Sequence, residues 1–219
     1  MTFLLNWLYQ LTVKFDVANY GIAIILLTVL IKIVLYPLTA KQMHSMMMMQ
    51  KLQPKIKEIQ DKYKKKDPKK MQQAIMELYK EHQVNPMSGC LPLLVQMPIL
   101  FALYKSLYNF PFVNQAHASF IWVPILSKAD PYYILPVLAS ITTYLQSKMT
   151  TSTNDPTQRM MLITMPLFIG WIASTLPAGL ALYWVAFNLA GIVQQFFINR
   201  RFAVAEEGLV KVEGNRKNR

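Results

Sequence analysis

Apolar residues in this chain gather into a few long runs, and polar, lysine-rich stretches separate them. The first run, 20–38, reads YGIAIILLTVLIKIVLYPL. It is long enough to cross a bilayer, which takes about 20 residues. Further runs lie at 89–108, 131–148, 160–176 and 180–198. Pro92 and Pro98 interrupt the second, and prolines are tolerated in membrane helices when neighbours re-satisfy the backbone. The runs at 131–148 and 160–176 sit near the short limit of about 17 residues, as in a locally thinned bilayer. The stretch 39–86 behaves differently. Leu52, Ile56, Ile59 and Tyr63 repeat at helical spacing over 40–64. A second helix begins where Asp67 serves as N-cap and Pro68 as first residue, with Met71, Ile75, Leu78 and His82 along one face. The two read as a helical hairpin with a basic, mobile tip at 64–70. At the start of the chain, Leu4, Leu8 and Leu11 share a face with Trp7, the pattern of a helix lying in the membrane interface.

The pattern therefore predicts an all-α membrane protein with five transmembrane helices. An interfacial amphipathic helix (1–16) precedes the first span (17–38). The hairpin (39–86), the second span (87–108) and a loop (109–130) follow. Then come the third span (131–148), a short loop (149–158), the fourth span (159–176), the fifth (178–198) and a basic tail (199–219). Composition agrees. The 219 residues are 53% hydrophobic and only 16% charged, against about 25% charged in soluble domains, and the mean hydropathy is +0.24.

The formal net charge is +12, from 23 Lys and Arg against 11 Asp and Glu. Such an excess suits nucleic acid, anionic lipid or a ribosome, and its distribution is informative. The hairpin holds eleven lysines against five acids, net +6, and the tail is net +3. Loop 109–130 carries only Lys128 and Asp130. Basic segments stay cytoplasmic, so with five spans the chain is N-out and C-in, with the hairpin, the loop at 149–158 and the tail inside. No basic segment precedes the first apolar run, so no cleavable signal peptide is read. The single cysteine, Cys90, allows neither an internal disulfide nor a cysteine-cluster metal site.

No enzyme constellation emerges. His44, His82 and His117 stand without a metalloprotease motif or paired carboxylates, and none of the five spans contains an acidic residue, which disfavours a carboxylate proton relay. Met43, His44 and Met46 to Met49 suit soft-metal ligation, but plain helix packing explains them better. The polar residues inside the spans are more telling. A lysine such as Lys32 well inside a span costs about 2.5–3.5 kcal/mol and usually serves a function. Thr28, Lys32 and Tyr36 recur every four residues, one polar stripe on one helical face. Two readings fit: a water-lined groove, or a lysine snorkelling to the headgroups. The stripe favours the groove. In the fifth span Trp184, Asn188, Gly191 and Gln195 share a face, and Gln96, Thr142 or Thr143 and Gln146 lie in the second and third. Each alone is ordinary interhelical glue. Collected with Lys32 and Thr28, they make a polar, positive, acid-free cavity that attracts an acidic polypeptide segment.

Several motifs resemble one family, the YidC membrane protein insertases with their mitochondrial oxidase-assembly and chloroplast relatives. They run in order from about residue 20 to 201: Tyr36-Pro37-Leu38-Thr39; Leu52-Gln53-Pro54-Lys55; Asn85-Pro86-Met87-Ser88-Gly89-Cys90-Leu91-Pro92 followed by Gln96-Met97-Pro98; Asp130-Pro131-Tyr132-Tyr133-Ile134-Leu135-Pro136; and Pro177-Ala178-Gly179-Leu180 with Leu182-Tyr183-Trp184. The resemblance implies a five-helix core with a positively charged hydrophilic groove, open to cytoplasm and lipid and closed outside. It implies a non-enzymatic insertase and folding chaperone of the bacterial cell membrane, with no cofactor and no nucleotide hydrolysis. Its partners would be nascent membrane proteins, the ribosome and anionic lipids, with the Sec translocon and the signal recognition particle receptor beside them. Lys32 stands where the family usually has arginine, so the charge is kept and the bidentate fork is lost. Thr28 matches a polar groove position, and Tyr183 and Trp184 match an aromatic pair that contacts substrate. Gln96, Gln146 and Asn188 complete the expected groove. The large extracytoplasmic domain and the lipoprotein-type cysteine of some relatives are not found, so the chain reads as the short form.

Overall fold

The computed structural model describes the backbone of residues 1–63, 67–85, 91–108, 110–150 and 156–217, and their side chains except at 91–93, 156–158 and 201–217. The described residues form eight α-helices: α1 (Thr2–Lys14), α2 (Tyr20–Val34), α3 (Tyr36–Tyr63), α4 (Pro68–Glu81), α5 (Leu91–Tyr108), α6 (Ile134–Thr150), α7 (Pro156–Thr175) and α8 (Ala178–Lys217). Helix α6 packs along α7 and α8, α2 packs along α8 and α1, and α3 packs on α4.

The first apolar run is not one straight helix. Helix α2 stops at Val34, and α3 leaves it at 67°. Pro37 explains the break. It has no N–H to give to an i−4 carbonyl, and it disfavours helical geometry at the residue before it, yet it is tolerated in the first turn of a new helix. Tyr36 therefore belongs to α3, and the expected stripe of Thr28, Lys32 and Tyr36 on one helical face does not form. By length and apolarity, one described segment, Ala178–Arg200, suffices alone to cross a membrane; α2 with α3 passes as a bent pair, and Leu94–Tyr108 and Arg159–Thr175 are apolar but shorter.

The core lies at the end of the bundle away from the hairpin. Ala23, Ile24 and Leu27 of α2 are wholly buried with Leu103, Leu107, Val123 and Leu126. Asn19 starts α2 by accepting from the N–H groups of Gly21 (2.7 Å) and Ile22 (3.3 Å), an N-cap. Gly21 has to be glycine, because a Cβ there would run into the Phe120 ring. Helix α1 packs the expected leucines against this core and leaves Trp7 outside it. Leu5, Leu8 and Tyr9 are buried, Leu4 and Leu11 are half-buried, and Phe3 and Trp7 are exposed. Tyr9 stacks on Tyr20 at 4.0 Å between ring centroids and shares a 2.8 Å hydrogen bond with His117.

The segment before α6 is tied down over the α7–α8 turn. The amide of Ala178 donates to the Lys128 carbonyl (2.7 Å) and that of Gly179 to the Leu126 carbonyl (2.8 Å). Asp130, 2% exposed, accepts from the amides of Tyr132 and Leu135 and from the Trp122 indole.

The hairpin has its own small core of Leu52, Ile56, Leu78 and Val84. Asp67 caps α4 by accepting from the amides of Lys69 and Lys70. Part of the basic tip, residues 64–66, lies outside the described residues, as do 86–90 of the motif before α5, 151–155 of the short loop and the tail side chains after Arg200. The backbone of α8 continues as helix past residue 198 to Lys217.

Candidate functional site

Where α2 bends away, the helices leave a cavity of about 270 Å³ next to the hairpin. Lys32 of α2, Leu38, Thr39, Gln42, Met43 and Met46 of α3, Gln96 of α5, Thr143, Gln146, Ser147 and Thr150 of α6, Met165 and Ile169 of α7, and Trp184, Phe187 and Asn188 of α8 line it, with Leu35 at the bend. No acidic side chain lines it among the described residues.

Lys32 lies two residues from the end of α2 but does not extend to an exposed end. It is 4% exposed, and its Nζ sits 3.4 Å above the centroid of the Phe187 ring, a cation–π contact. Gly191, one turn on from Phe187, makes the room. A Cβ there would lie 3.0 Å from Lys32 Nζ and would collide with the Gln146 amide. The Gln194 amide donates to the Lys32 carbonyl (3.2 Å), which holds the free end of α2 against α8.

The opposite wall is fixed by hydrogen bonds between α6 and α8. Asn188 Nδ2 donates to Thr142 Oγ1 (3.1 Å) and Thr143 Oγ1 (2.8 Å). The Trp184 indole donates to Thr143 Oγ1 (3.1 Å), whose own hydroxyl donates to the Ala139 carbonyl. Gln96 Nε2 donates to the Tyr183 hydroxyl (2.9 Å), tying α5 to α8.

Of the residues singled out in the sequence, Lys32, Gln96, Gln146, Trp184 and Asn188 come together around this one cavity. Thr28 and Tyr183 do not line the cavity. Both are fully buried behind it, Thr28 with its hydroxyl on the Ile24 carbonyl (2.7 Å) and Tyr183 as the support of Gln96. Gln195 is also buried off the cavity, donating to Asn199 (2.8 Å). Reasoning from sequence missed Phe187 and the α3 wall. The spacing of Leu38, Gln42 and Met46 at four residues was the available signal.

An apolar crevice of about 450 Å³ adjoins this cavity between α5, α7 and α8. Met97, Leu100, Phe101 and Phe168 help to line it, and Met165, Ile169 and Trp184 belong to both walls. The two spaces thus place a cationic, hydrogen-bonding surface against an apolar one.

Comparison with known proteins agrees with this architecture. The family model described as "60Kd inner membrane protein" matches residues 12–206. The membrane protein insertase YidC of Geobacter metallireducens is 48% identical over 191 residues, which cover 87% of this chain and 35% of that protein. That of Wolinella succinogenes is 47% identical over 199 residues, 90% of this chain and 36% of that one. The chain thus spans about a third of the length of these curated relatives. A crystal structure of an active YidC insertase with its first transmembrane domain resolved superposes with a TM-score of 0.70 at 34% identity, over 86% of this chain and 43% of that one. A match along nearly the whole chain, in sequence and in fold, places it in the 60Kd inner membrane protein family, that of the YidC insertases.

Proposed function

We propose that this chain inserts nascent membrane proteins into the bacterial cell membrane and helps them fold, without catalysing a reaction or hydrolysing nucleotide. The observation that carries the proposal is the buried Lys32 ammonium in an acid-free cavity beside the hairpin. In this reading five helices cross the membrane, N-out and C-in, and the cavity is a groove opening to the cytoplasm. An acidic or polar segment of the substrate enters opposite Lys32, with Gln96, Gln146, Trp184 and Asn188 as further groove contacts and Thr28 and Tyr183 as support behind them. Its path through hydrocarbon is thereby shortened. The apolar part of the substrate passes along the crevice that shares Met165, Ile169 and Trp184 with the groove, and partitions into lipid. There each buried CH₂ is worth about 0.8 kcal/mol. The buried core of Ala23, Ile24 and Leu27 closes the far end, which favours an insertase over a channel with a continuous polar path.

The basic hairpin and tail hold a ribosome or anionic lipid near the groove, and the Sec translocon and the signal recognition particle receptor are further partners in this reading. The test is reconstitution of the purified chain in liposomes with a short single-span substrate, scored by protease protection. Protection of the translocated segment above that in empty liposomes is expected. Equal protection in both refutes the proposal.

A further inference from the structure

Ile121 and Tyr133 hold a backbone conformation that bulky side chains avoid. Among the described residues other than glycine, Asp16, Gln83, Ile121 and Tyr133 have a left-handed φ. Asp16 and Gln83 follow the ends of α1 and α4, where a left-handed residue stops a helix. Ile121 (52°) and Tyr133 (57°) end no helix. The conformation is unfavourable for β-branched and bulky residues, while glycine or asparagine adopts it readily. Contacts of the two side chains do not offset that cost, since Ile121 is 79% and Tyr133 59% exposed.

Buried neighbours keep both residues in place. Phe120 and Val123 exchange two backbone hydrogen bonds of 2.8 Å across Ile121 and Trp122. The Phe120 ring lies against Gly21, Val123 is wholly buried, and the Ser119 carbonyl accepts from the Asn19 side-chain amide (2.8 Å). Asp130 ties the two places together. Its carboxylate accepts from the Trp122 indole, next to Ile121, and from the backbone amide of Tyr132, next to Tyr133. Strain held in this way by its surroundings clusters at working surfaces.

The chemistry of this surface is that of a membrane interface. Between 110 and 133 only Lys128 and Asp130 are charged, and Asp130 is buried, so the surface offers little to a charged partner. Tyrosine, tryptophan and lysine are the residues that anchor proteins at the edge of a bilayer, and Trp122, Lys128, Tyr132 and Tyr133 supply them. Tyr133 also heads an exposed apolar stripe along α6, formed by Ile134, Val137, Ile141 and Leu145 at helical spacing. Helices α2 and α6 have 15 and 17 residues, a rise of about 22 and 26 Å. The hydrocarbon core they have to cross is about 30 Å thick.

We propose that Ile121, Tyr132 and Tyr133 form a rigid rim that seats the closed end of the bundle in the outer leaflet, at the boundary between headgroups and acyl chains. This rests on the reading above, in which α6 crosses the membrane with this end outside. Irregular backbone is kept out of the hydrocarbon itself by its unmet hydrogen bonds, so the rim stops at the boundary, and its side chains add the apolar height that α2 and α6 lack. The rim thereby fixes how deep the bundle sits, and with it the distance of the cavity from the cytoplasm.

The experiment uses the full chain in phospholipid liposomes, with Cys90→Ser and one new cysteine carrying an environment-sensitive fluorophore: Ile121→Cys on the rim, Ile141→Cys midway along α6, or Lys69→Cys on the hairpin. Ile121→Cys is expected to emit as from an apolar medium and to be quenched about twofold by lipids brominated near the glycerol, and less by lipids brominated at the chain ends, as at the headgroup–acyl boundary. Ile141→Cys should show the reverse preference, and Lys69→Cys should emit as in water. Water-like emission from Ile121→Cys beside an embedded Ile141→Cys overturns the inference and leaves the insertase reading standing. So does apolar emission from Ile121→Cys that neither lipid quenches, because a second copy or another protein would then cover the rim. Water-like emission from Ile141→Cys overturns both. Ile121→Asn suits the left-handed backbone and should leave the unfolding midpoint in detergent unchanged or raised; a lowered midpoint would make Ile121 a packing residue of the fold and overturn the inference.

Discussion

Replacing Lys32 by alanine separates the charge of the groove from its structure. Two unit charges 4 Å apart attract by about 1 kcal/mol in water and about 4 kcal/mol at an effective dielectric of 20. The groove lies between these limits, since its wall buries Lys32 to 4% exposure while its mouth opens beside the hairpin. A substrate carboxylate opposite Lys32 is thus worth ~1–3 kcal/mol, or roughly 5- to 150-fold in occupancy of the groove. The Phe187 ring covers one side of the ammonium, and in the proposed reading the carboxylate approaches from the cavity that Lys32 lines. In the free protein the same substitution removes a charge that no acid among the described wall residues answers, so the unfolding midpoint should hold or rise. Lys32→Arg keeps the charge and stacks on an aromatic ring, and should insert close to wild type.

The measurement is the yield of acidic-tailed and neutralised substrates in cells depleted of other insertases. Lys32→Ala should depress the first by about tenfold and the second little, because the attraction removed is electrostatic. An interfacial anchor, by contrast, would leave insertion near normal. Equal yields for wild type and Lys32→Ala on the acidic substrate refute the groove-charge mechanism while leaving family membership untouched.

Gly191→Ala should crowd Gln146 and Lys32; both are side-chain ends that can shift, and alanine is the better helix former by about 1 kcal/mol, so insertion of the acidic substrate should fall while the unfolding midpoint does not. A parallel fall in both would show a packing defect instead. Asp130→Ala leaves the amides of Tyr132 and Leu135 and the Trp122 indole without their acceptor and should cost about 3 kcal/mol, read by circular dichroism during unfolding in detergent; a loss under about 1 kcal/mol would deny the carboxylate this role. Removing 200–219 takes away a net +3 and should weaken ribosome co-sedimentation at low salt, with the effect fading as salt is raised; binding indifferent to both the truncation and salt would leave the tail a topology signal only.

Much of the helical order was legible because long apolar runs and charged hairpins have strong one-dimensional signals. Asp67 and Pro68 read as a helix start, and Asp67 does cap α4. The family resemblance held along the chain because its motifs are long and ordered. What the sequence could not fix was how continuous helices are. Proline has two opposite effects. Pro54, Pro98 and Pro166 lie inside unbroken helices, while Pro37 stands at a 67° turn. The local chemistry is the same in all four, and tertiary packing decides whether neighbours bridge the missing hydrogen bond or the chain turns. Nor could periodicity give the whole buried side of α1. Leu4, Leu8 and Leu11 were the obvious stripe and do pack on the core, but the stack of Tyr9 on Tyr20 brings Leu5 and Tyr9 inward with them and leaves Trp7 exposed.

The break at Pro37 also accounts for the part of the site that sequence reasoning missed. Had α2 continued straight, Thr28, Lys32 and Tyr36 would have formed one polar ridge, and the residues from Leu38 to Met46 would have run on beyond the bundle. The turn instead swings the start of α3 across the mouth of the cavity, so that Leu38, Thr39, Gln42, Met43 and Met46 become wall. Lys32 is thereby left in the last turn of a helix, the end at which the helix dipole favours a cation. One consequence is mechanical. The helix that forms half of the basic hairpin is the same helix that closes one side of the groove, joined without a linker through α3. In the proposed reading, a ribosome or anionic lipid surface that pulls on the hairpin would act through α3 on Gln42 and Met46, which line the cavity from the same helix. The methionines there suit that position, since unbranched thioether side chains repack at little cost when the surface facing them changes.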